Sequence, residues 1–364
     1  MKSFNVKAPD YIYKINPYIP GKPIEEVERE KGIKNIVKLA SNENPLGPSP
    51  LALKAIKSYL KNLNRYPDGS GFYLKQELVK IFNLKSENFI LGNGSNELID
   101  IAARTFCERD ENIVSPFPSF VAYYLAGEQL GLKLKISRLK EDYSLDLDDI
   151  YKLIDDKTKI VFISNPNNPT GTFFSNDKII NFIKKVNDGV LIIVDEAYIE
   201  YIGKSLIEDI DIADFPNVLV LRTFSKVYGL AGLRVGYGIG NKDLISLMDR
   251  TREPFNVNSL SLAAAAAALE DKEYLEKVIE TNETEKNYLY GGFKKMGLEF
   301  IKTGANFILV KLKGQKAAKI SEKLLDGGVI VRPMDRFGYD DMIRITIGTH
   351  KENVKLIKAL RRLT

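Results

Sequence analysis

Thr223 to Tyr237 reads TFSKVYGLAGLRVGY, and the rest of the chain is interpreted from it. The apolar run Val218–Leu221 leads into this stretch, so Ser225 and Lys226 stand at the end of a buried strand. A lysine held there has its ammonium desolvated, which lowers its pKa and makes the amine a nucleophile toward carbonyl carbon. Arg234 opens a second apolar segment, and Gly229, Gly232 and Gly236 let the backbone bend tightly. Ser225 offers a hydroxyl and Arg234 a forked guanidinium, both donors suited to a phosphate. A Schiff-base lysine beside a phosphate cradle fits pyridoxal 5'-phosphate (PLP). A solvated lysine in a glycine-rich loop explains this segment equally well, so the rest of the chain has to decide.

At 364 residues the chain exceeds what one core usually supports, so two domains are expected. The net charge of +5 arises from basic residues interleaved with acidic ones, without a basic block. That argues against nucleic acid and for anionic small-molecule partners. The one cysteine, Cys107, excludes an internal disulfide and reads as a buried small residue. The one histidine, His350, excludes a histidine-based triad or a multi-histidine metal site, so no metal is expected. The N-terminus has no apolar stretch of signal length, and the longest apolar run, Leu262–Leu269, is too short for a bilayer. No membrane partner and a cytoplasmic location are expected.

Residues 1–38 read as an N-terminal arm with a short helix at Ile24–Lys31. LASNENPLGPSP (39–50) holds too many turn formers for a helix or strand. From 72 to 240, strands near 89–91, 112–115, 133–136, 160–164, 190–194 and 218–221 alternate with helical patterns. This predicts an α/β large domain, 39–265, with a mostly parallel central sheet flanked by helices. Gly236, Gly238 and Gly240 are not spaced as a dinucleotide fingerprint, and no helix is expected close behind them. Two long helical patterns lie between 259 and 296, and residues 266–364, with short strands and helices beyond them, read as a smaller α+β domain.

Ligands of open parallel sheets sit at the carboxyl ends of strands. After strand 89–91, Ser95 and Asn96 open a helix whose free N–H groups suit a phosphate, and an ordinary helix start reads the same way. After strand 160–164, NPNNPTG (165–171) makes a rigid loop from which Asn168 reaches a ring hydroxyl. Asp195 ends the buried run 190–194, where a carboxylate is costly unless paired; a protonated pyridine nitrogen is a suitable partner and a helix cap the alternative. Tyr198, three residues on, reaches the ring oxygen. Phe120 offers a face for stacking on a ring, although an aromatic there also suits the core.

With these residues in this order, the chain resembles the fold-type-I, PLP-dependent aminotransferases of class II, most narrowly the histidinol-phosphate aminotransferases. The resemblance runs nearly end to end through PYIPGKP (17–23), LASNENPLGPSP (39–50), RYPDG (65–69), NPNNPTG (165–171), DEAYIEY (195–201), RTFSKVYGLAGLRVGYG (222–238), REPFNVNSL (252–260), ANFILV (305–310) and RITIGT (344–349). It implies that Lys226 joins the cofactor aldehyde and moves the proton, with Asp195 on the ring nitrogen and Asn168 and Tyr198 on the ring oxygen. It implies that Ser95, Asn96, Thr223, Ser225 and Arg234 hold the phosphate. Tyr66 then reaches the phosphate of a neighbouring subunit, so a homodimer is implied, with the N-terminal arm joining the small domain and the dimer. Arg344 takes the substrate anion, helped by Tyr18, Arg332, Asn306 and Asn44. One departure is visible, since Phe120 stands where many such enzymes carry tyrosine; stacking survives and a hydroxyl is lost. The implied reaction is transamination between histidinol phosphate and 2-oxoglutarate, yielding imidazole-acetol phosphate and glutamate, in L-histidine biosynthesis. Aromatic or broad-range amino-acid transamination and amino-acid-phosphate decarboxylation remain open. A non-catalytic regulator on the same fold would want a DNA-binding segment ahead of residue 39, where only a short, proline-broken arm stands.

Overall fold

The computed structural model describes residues 5–17 and 21–363. Twelve strands are numbered in chain order: β1 (Val37–Leu39), β2 (Phe89–Gly92), β3 (Asn112–Phe117), β4 (Lys133–Arg138), β5 (Thr158–Ser164), β6 (Leu191–Asp195), β7 (Val218–Thr223), β8 (Gly236–Gly240), β9 (Glu299–Phe300), β10 (Phe307–Lys311), β11 (Val329–Pro333) and β12 (Met342–Thr346). Seven form one sheet in the order β2-β8-β7-β6-β5-β3-β4. Five form a second sheet in the order β1-β11-β12-β10-β9.

In the large sheet β8 alone runs against both its neighbours, and the remaining pairs are parallel. The central strands β6 and β7 are buried along their whole length, as their unbroken apolar runs require. Ile192, Val194 and Val220 face one layer of helices, while Ile193, Leu219 and Leu221 face the other. Each such side chain contributes about 1.5–3 kcal/mol by burial. Helix Ser95–Phe106 shows how sequence drives the covering layer: Leu98, Ile99, Ile101 and Ala102 form one apolar stripe and all are buried.

The glycine-spaced segment departs from expectation in one respect. It is β8, and helix Lys242–Asp249 follows it directly, capped by the Asn241 side chain on the Asp243 N–H. The glycines are there because neighbours leave no room: a Cβ on Gly236 would lie 2.5 Å from the Ser95 nitrogen. Helix Ser259–Glu270 packs on helices Pro50–Tyr59 and Phe72–Phe82. At Asp271, whose carboxylate accepts from Ser49 Oγ at 2.6 Å, the chain turns into the long helix Lys272–Lys295 that leads to the second sheet.

The second sheet encloses its own core of Leu289, Phe293, Ile308, Val310, Ile343, Ile345 and Leu356. Its edge strand β1 comes from the arm and was not predicted; it pairs in parallel with β11. Loop 40–49 therefore begins on the small sheet and ends at the helix Pro50–Tyr59 of the large one. Among the described residues no helix is long and apolar enough to cross a membrane.

Candidate active site

The carboxyl ends of β5, β6 and β7, the start of helix Ser95–Phe106 and loop 40–49 converge on a cavity of about 310 Å³. Lys226 lies in it, only partly exposed, and its Nζ donates to the Ser41 carbonyl at 3.4 Å. Burial chiefly, then the guanidinium charges of Arg344 and Arg234, push the Lys226 amine down to about 8, against the opposing pull of Glu43 and Asp195. The amine sits 5.5 Å from the centre of the Tyr198 ring.

Asp195 stands at the tip of β6, beside Ser164 of β5. Its Oδ2 accepts from the Tyr123 hydroxyl at 2.7 Å and its Oδ1 from the Ala197 N–H at 3.1 Å. Burial raises its pKa, while those two donors and the Lys226 charge oppose the rise. The Tyr198 hydroxyl accepts from Asn42 Nδ2 at 2.9 Å, and burial lifts its pKa to about 12. Asn42 is locked in turn by Thr346, whose Oγ1 accepts from the Asn42 N–H at 2.9 Å.

The proline-asparagine loop explains its own composition. Asn165 Oδ1 accepts from the Phe174 N–H at 2.8 Å, and Asn167 Oδ1 accepts from Ser119 Oγ at 2.7 Å. Those two amides fasten the loop to its neighbours, and Asn168 lines the cavity. Asn168 Oδ1 accepts from Arg344 Nη1, and Arg344 Nη2 donates to the Ala40 carbonyl at 2.7 Å. Phe120 lines the cavity with its ring edge-on to Tyr123, centroids 5.7 Å apart.

At the opposite end, Arg234 Nη1 donates to Ser225 Oγ at 3.4 Å, and Thr223 Oγ1 accepts from the Ser225 N–H at 3.1 Å. Arg234 has φ +56°, a left-handed conformation a non-glycine residue adopts only when its surroundings enforce it. Gly94 precedes the helix at φ +81° and offers no side-chain cap, so the first N–H groups, including those of Ser95 and Asn96, face the cavity without a cap of their own. A third group of charges comes from the small sheet. Arg332 of β11 lies directly opposite Arg344 of β12, and both line the cavity. Like charges in that relation repel, and an anion between them relieves the cost.

Three expected residues, Asn44, Asn306 and Tyr66, do not line this cavity. Asn44 donates to the Val227 carbonyl at 2.8 Å and accepts from the Leu46 N–H, so its side chain folds the turn behind the wall. Asn306 donates to the Asn42 carbonyl at 3.0 Å and supports the wall from outside. Tyr66 is 83% exposed and stacks on Phe255 at 5.0 Å, away from the cavity. Tyr18 lies outside the described residues. Conversely, Tyr123, Asn42, Glu43 and Phe337 belong to the site or its support and were not expected. Position i+3 from Phe120 was the available signal for Tyr123, and Asn42 lies in a stretch already marked by its turn formers.

The residues present fit PLP. An uncapped helix start, two hydroxyls and a guanidinium match a phosphate. Gly94 and Gly236 keep that corner open: a Cβ on Gly94 would lie 2.6 Å from Arg234 Nη2. A buried carboxylate, a flat aromatic face and a desolvated amine then meet a ring nitrogen, a ring face and an aldehyde. Among the described residues no cluster of side chains could hold a metal ion.

Comparison with known proteins agrees with this geometry. Residues 34–360 match the family described as aminotransferase class I and II. The chain is 45% identical to histidinol-phosphate aminotransferase 2 of Pseudomonas fluorescens (strain Pf0-1), over 99% of this chain and 98% of that one. It is 43% identical to the histidinol-phosphate aminotransferase of Moorella thermoacetica, over 98% and 93%. A crystal structure of histidinol-phosphate aminotransferase from Sinorhizobium meliloti in complex with PLP superposes with a TM-score of 0.90 at 26% identity, covering 100% of both chains.

Proposed function

The chain belongs to the class I and II aminotransferases, and we propose that within this family it transfers an amino group between histidinol phosphate and 2-oxoglutarate, a step of L-histidine biosynthesis. The products are imidazole-acetol phosphate and glutamate. PLP is the cofactor; bound here, it supplies an aldehyde that condenses with amines and a ring that accepts electrons from the substrate carbon.

One observation carries the reading: the Lys226 amine lies between two anion sites, Arg234 with Ser225 on one side and the Arg332–Arg344 pair on the other. The first site holds the cofactor phosphate, together with Thr223 and the N–H groups of Ser95 and Asn96. The second takes the phosphate of histidinol phosphate or the carboxylates of glutamate and 2-oxoglutarate. Arg344 is oriented for this by its bonds to Asn168 and the Ala40 carbonyl. The lowered pKa of Lys226 keeps part of its amine neutral near physiological pH. With the cofactor bound and its amine freed, Lys226 Nζ would take the proton from the substrate carbon and deliver it to the carbon that carried the cofactor aldehyde. With the cofactor bound, Asp195 would pair with the ring nitrogen, Asn168 and Tyr198 would donate to the ring oxygen, and Phe120 would cover one ring face.

A homodimer completes this reading. Tyr66 is exposed, and Leu63, Phe72 and Tyr73 near it are exposed as well, an apolar surface that a second copy covers. Tyr66 then serves the neighbour's phosphate. The test is kcat/KM with glutamate for imidazole-acetol phosphate against phenylpyruvate. A preference of about 100-fold or more for the phosphate ester is expected, because a doubly charged phosphate pairs with both guanidinium groups more fully than the single carboxylate of phenylpyruvate does. Equal or reversed values would move the assignment to an aromatic or broad-range aminotransferase. Release of carbon dioxide from an amino-acid phosphate would move it to a decarboxylase.

A further inference from the structure

We propose that Tyr123 is a positioning residue, whose phenol holds the Asp195 carboxylate ionised and aimed at the cofactor ring nitrogen. The inference rests on the PLP reading above and concerns a residue with no place in it so far. Tyr123 is fully buried, and its hydroxyl donates to Asp195 Oδ2 at 2.7 Å. The ring cannot turn that hydroxyl away. It is stacked on Phe162 at 4.5 Å and 11°, and Phe120 meets it edge-on at 86°.

The carboxylate is gripped on both oxygens from the protein side, by Tyr123 on Oδ2 and by the Ala197 N–H on Oδ1. Its remaining acceptor capacity faces the cavity. The titratable groups around it are Tyr123 from helix Val121–Leu130, Lys226 from the segment after β7, and Tyr198 from its own segment. Burial alone favours the neutral acid, so ionisation at neutral pH depends on these donors and on the Lys226 charge. Burial pushes the pKa of the Tyr123 phenol well up, so it keeps its own proton and donates to the carboxylate without carrying charge. It thereby maintains a negative partner for a protonated ring nitrogen without competing for that proton.

The experiment measures the dissociation constant of PLP from the apoprotein by equilibrium dialysis across pH, for wild type, Tyr123→Phe, Asp195→Asn and the double variant. Phe keeps the ring stacking and deletes only the donor. Tyr123→Phe is expected to weaken PLP binding on the order of tenfold at neutral pH, the size of a lost hydrogen bond to a charged group. The acid side of its binding curve is expected to move to higher pH, with the two curves converging in alkali where Asp195 is ionised in both. In the Asp195→Asn background the same substitution is expected to have no further effect. An unchanged constant and unchanged pH curve, or an equal loss in the Asn background, would overturn the proposal and leave Tyr123 a packing residue. Failure of wild type to bind PLP would instead overturn the functional reading beneath it.

Discussion

Replacing Gly94 with alanine separates the fold from the site, because the two costs fall on different observables. Gly94 has φ +81° and ψ 163°, a region that is essentially glycine-only. Forcing a Cβ there costs about 1–3 kcal/mol of stability. The added carbon would sit 2.6 Å from Arg234 Nη2. That atom ends a flexible side chain, so the clash is relieved by swinging the guanidinium aside and adds little to the folding cost. For the ligand, the swing removes a charge-assisted contact to phosphate, worth about 1.5–3 kcal/mol. PLP affinity should therefore fall about 10- to 150-fold. Equilibrium dialysis of PLP and thermal melting of the apoprotein read the two effects. Gly32→Ala is the control: it has φ +65°, nothing within 4 Å of the added carbon, and no place on the cavity wall. Gly94→Ala should lose both melting temperature and affinity, and Gly32→Ala only melting temperature. Wild-type affinity in Gly94→Ala would refute the assignment of this corner to the phosphate.

Reductive labelling of the apoprotein with PLP and cyanoborohydride should modify Lys226 first, with a rate rising through pH of about 8; uniform labelling of surface lysines would contradict this. Because the folded pKa of Lys226 is depressed, the unfolded chain binds more protons between about 8 and the ordinary lysine value of 10.5. Apo Lys226→Met should accordingly melt higher than wild type below pH 8, with the advantage fading as pH rises through that window; a pH-independent difference would argue against a buried charge. Mixing inactive Lys226→Ala with Tyr66→Ala and allowing subunits to exchange should restore turnover, since every mixed dimer has one intact site; no recovery after exchange would remove Tyr66 from the neighbour's site.

Much of the large domain was legible because residue types conflict with their positions. A lysine, an aspartate and an asparagine at the ends of apolar strands are costly as pure structure, which is what singled out Lys226, Asp195 and Asn168. What escaped notice depends on partners distant in the chain. Three residues, Val37–Leu39, carry no periodic signal, and they are a strand only because β11 is there to pair with. Helix Lys242–Asp249 was not expected behind Gly236, Gly238 and Gly240, glycines that close packing of Gly236 on Ser95 and of Gly238 on Ile90 and Leu219 demands. Asn44 and Asn306 have polar amides suited to a ligand, but the Nδ2 group of each donates to a backbone carbonyl of the chain itself. The donor from Tyr123 to Asp195 bridges a helix and a strand tip, a relation that no spacing encodes.

The parallel pairing of β1 with β11 has a consequence for how the molecule comes into being. During translation, Val37–Leu39 emerges early and waits for Val329–Val331. A nascent chain stopped short of that point already carries Lys226, Asp195 and Arg234, yet lacks the strand pairing and the Thr346 and Arg344 bonds that help hold Ala40–Asn42 over them. A ribosome that quits early thus releases a product with the reactive amine under a roof fastened along one side only.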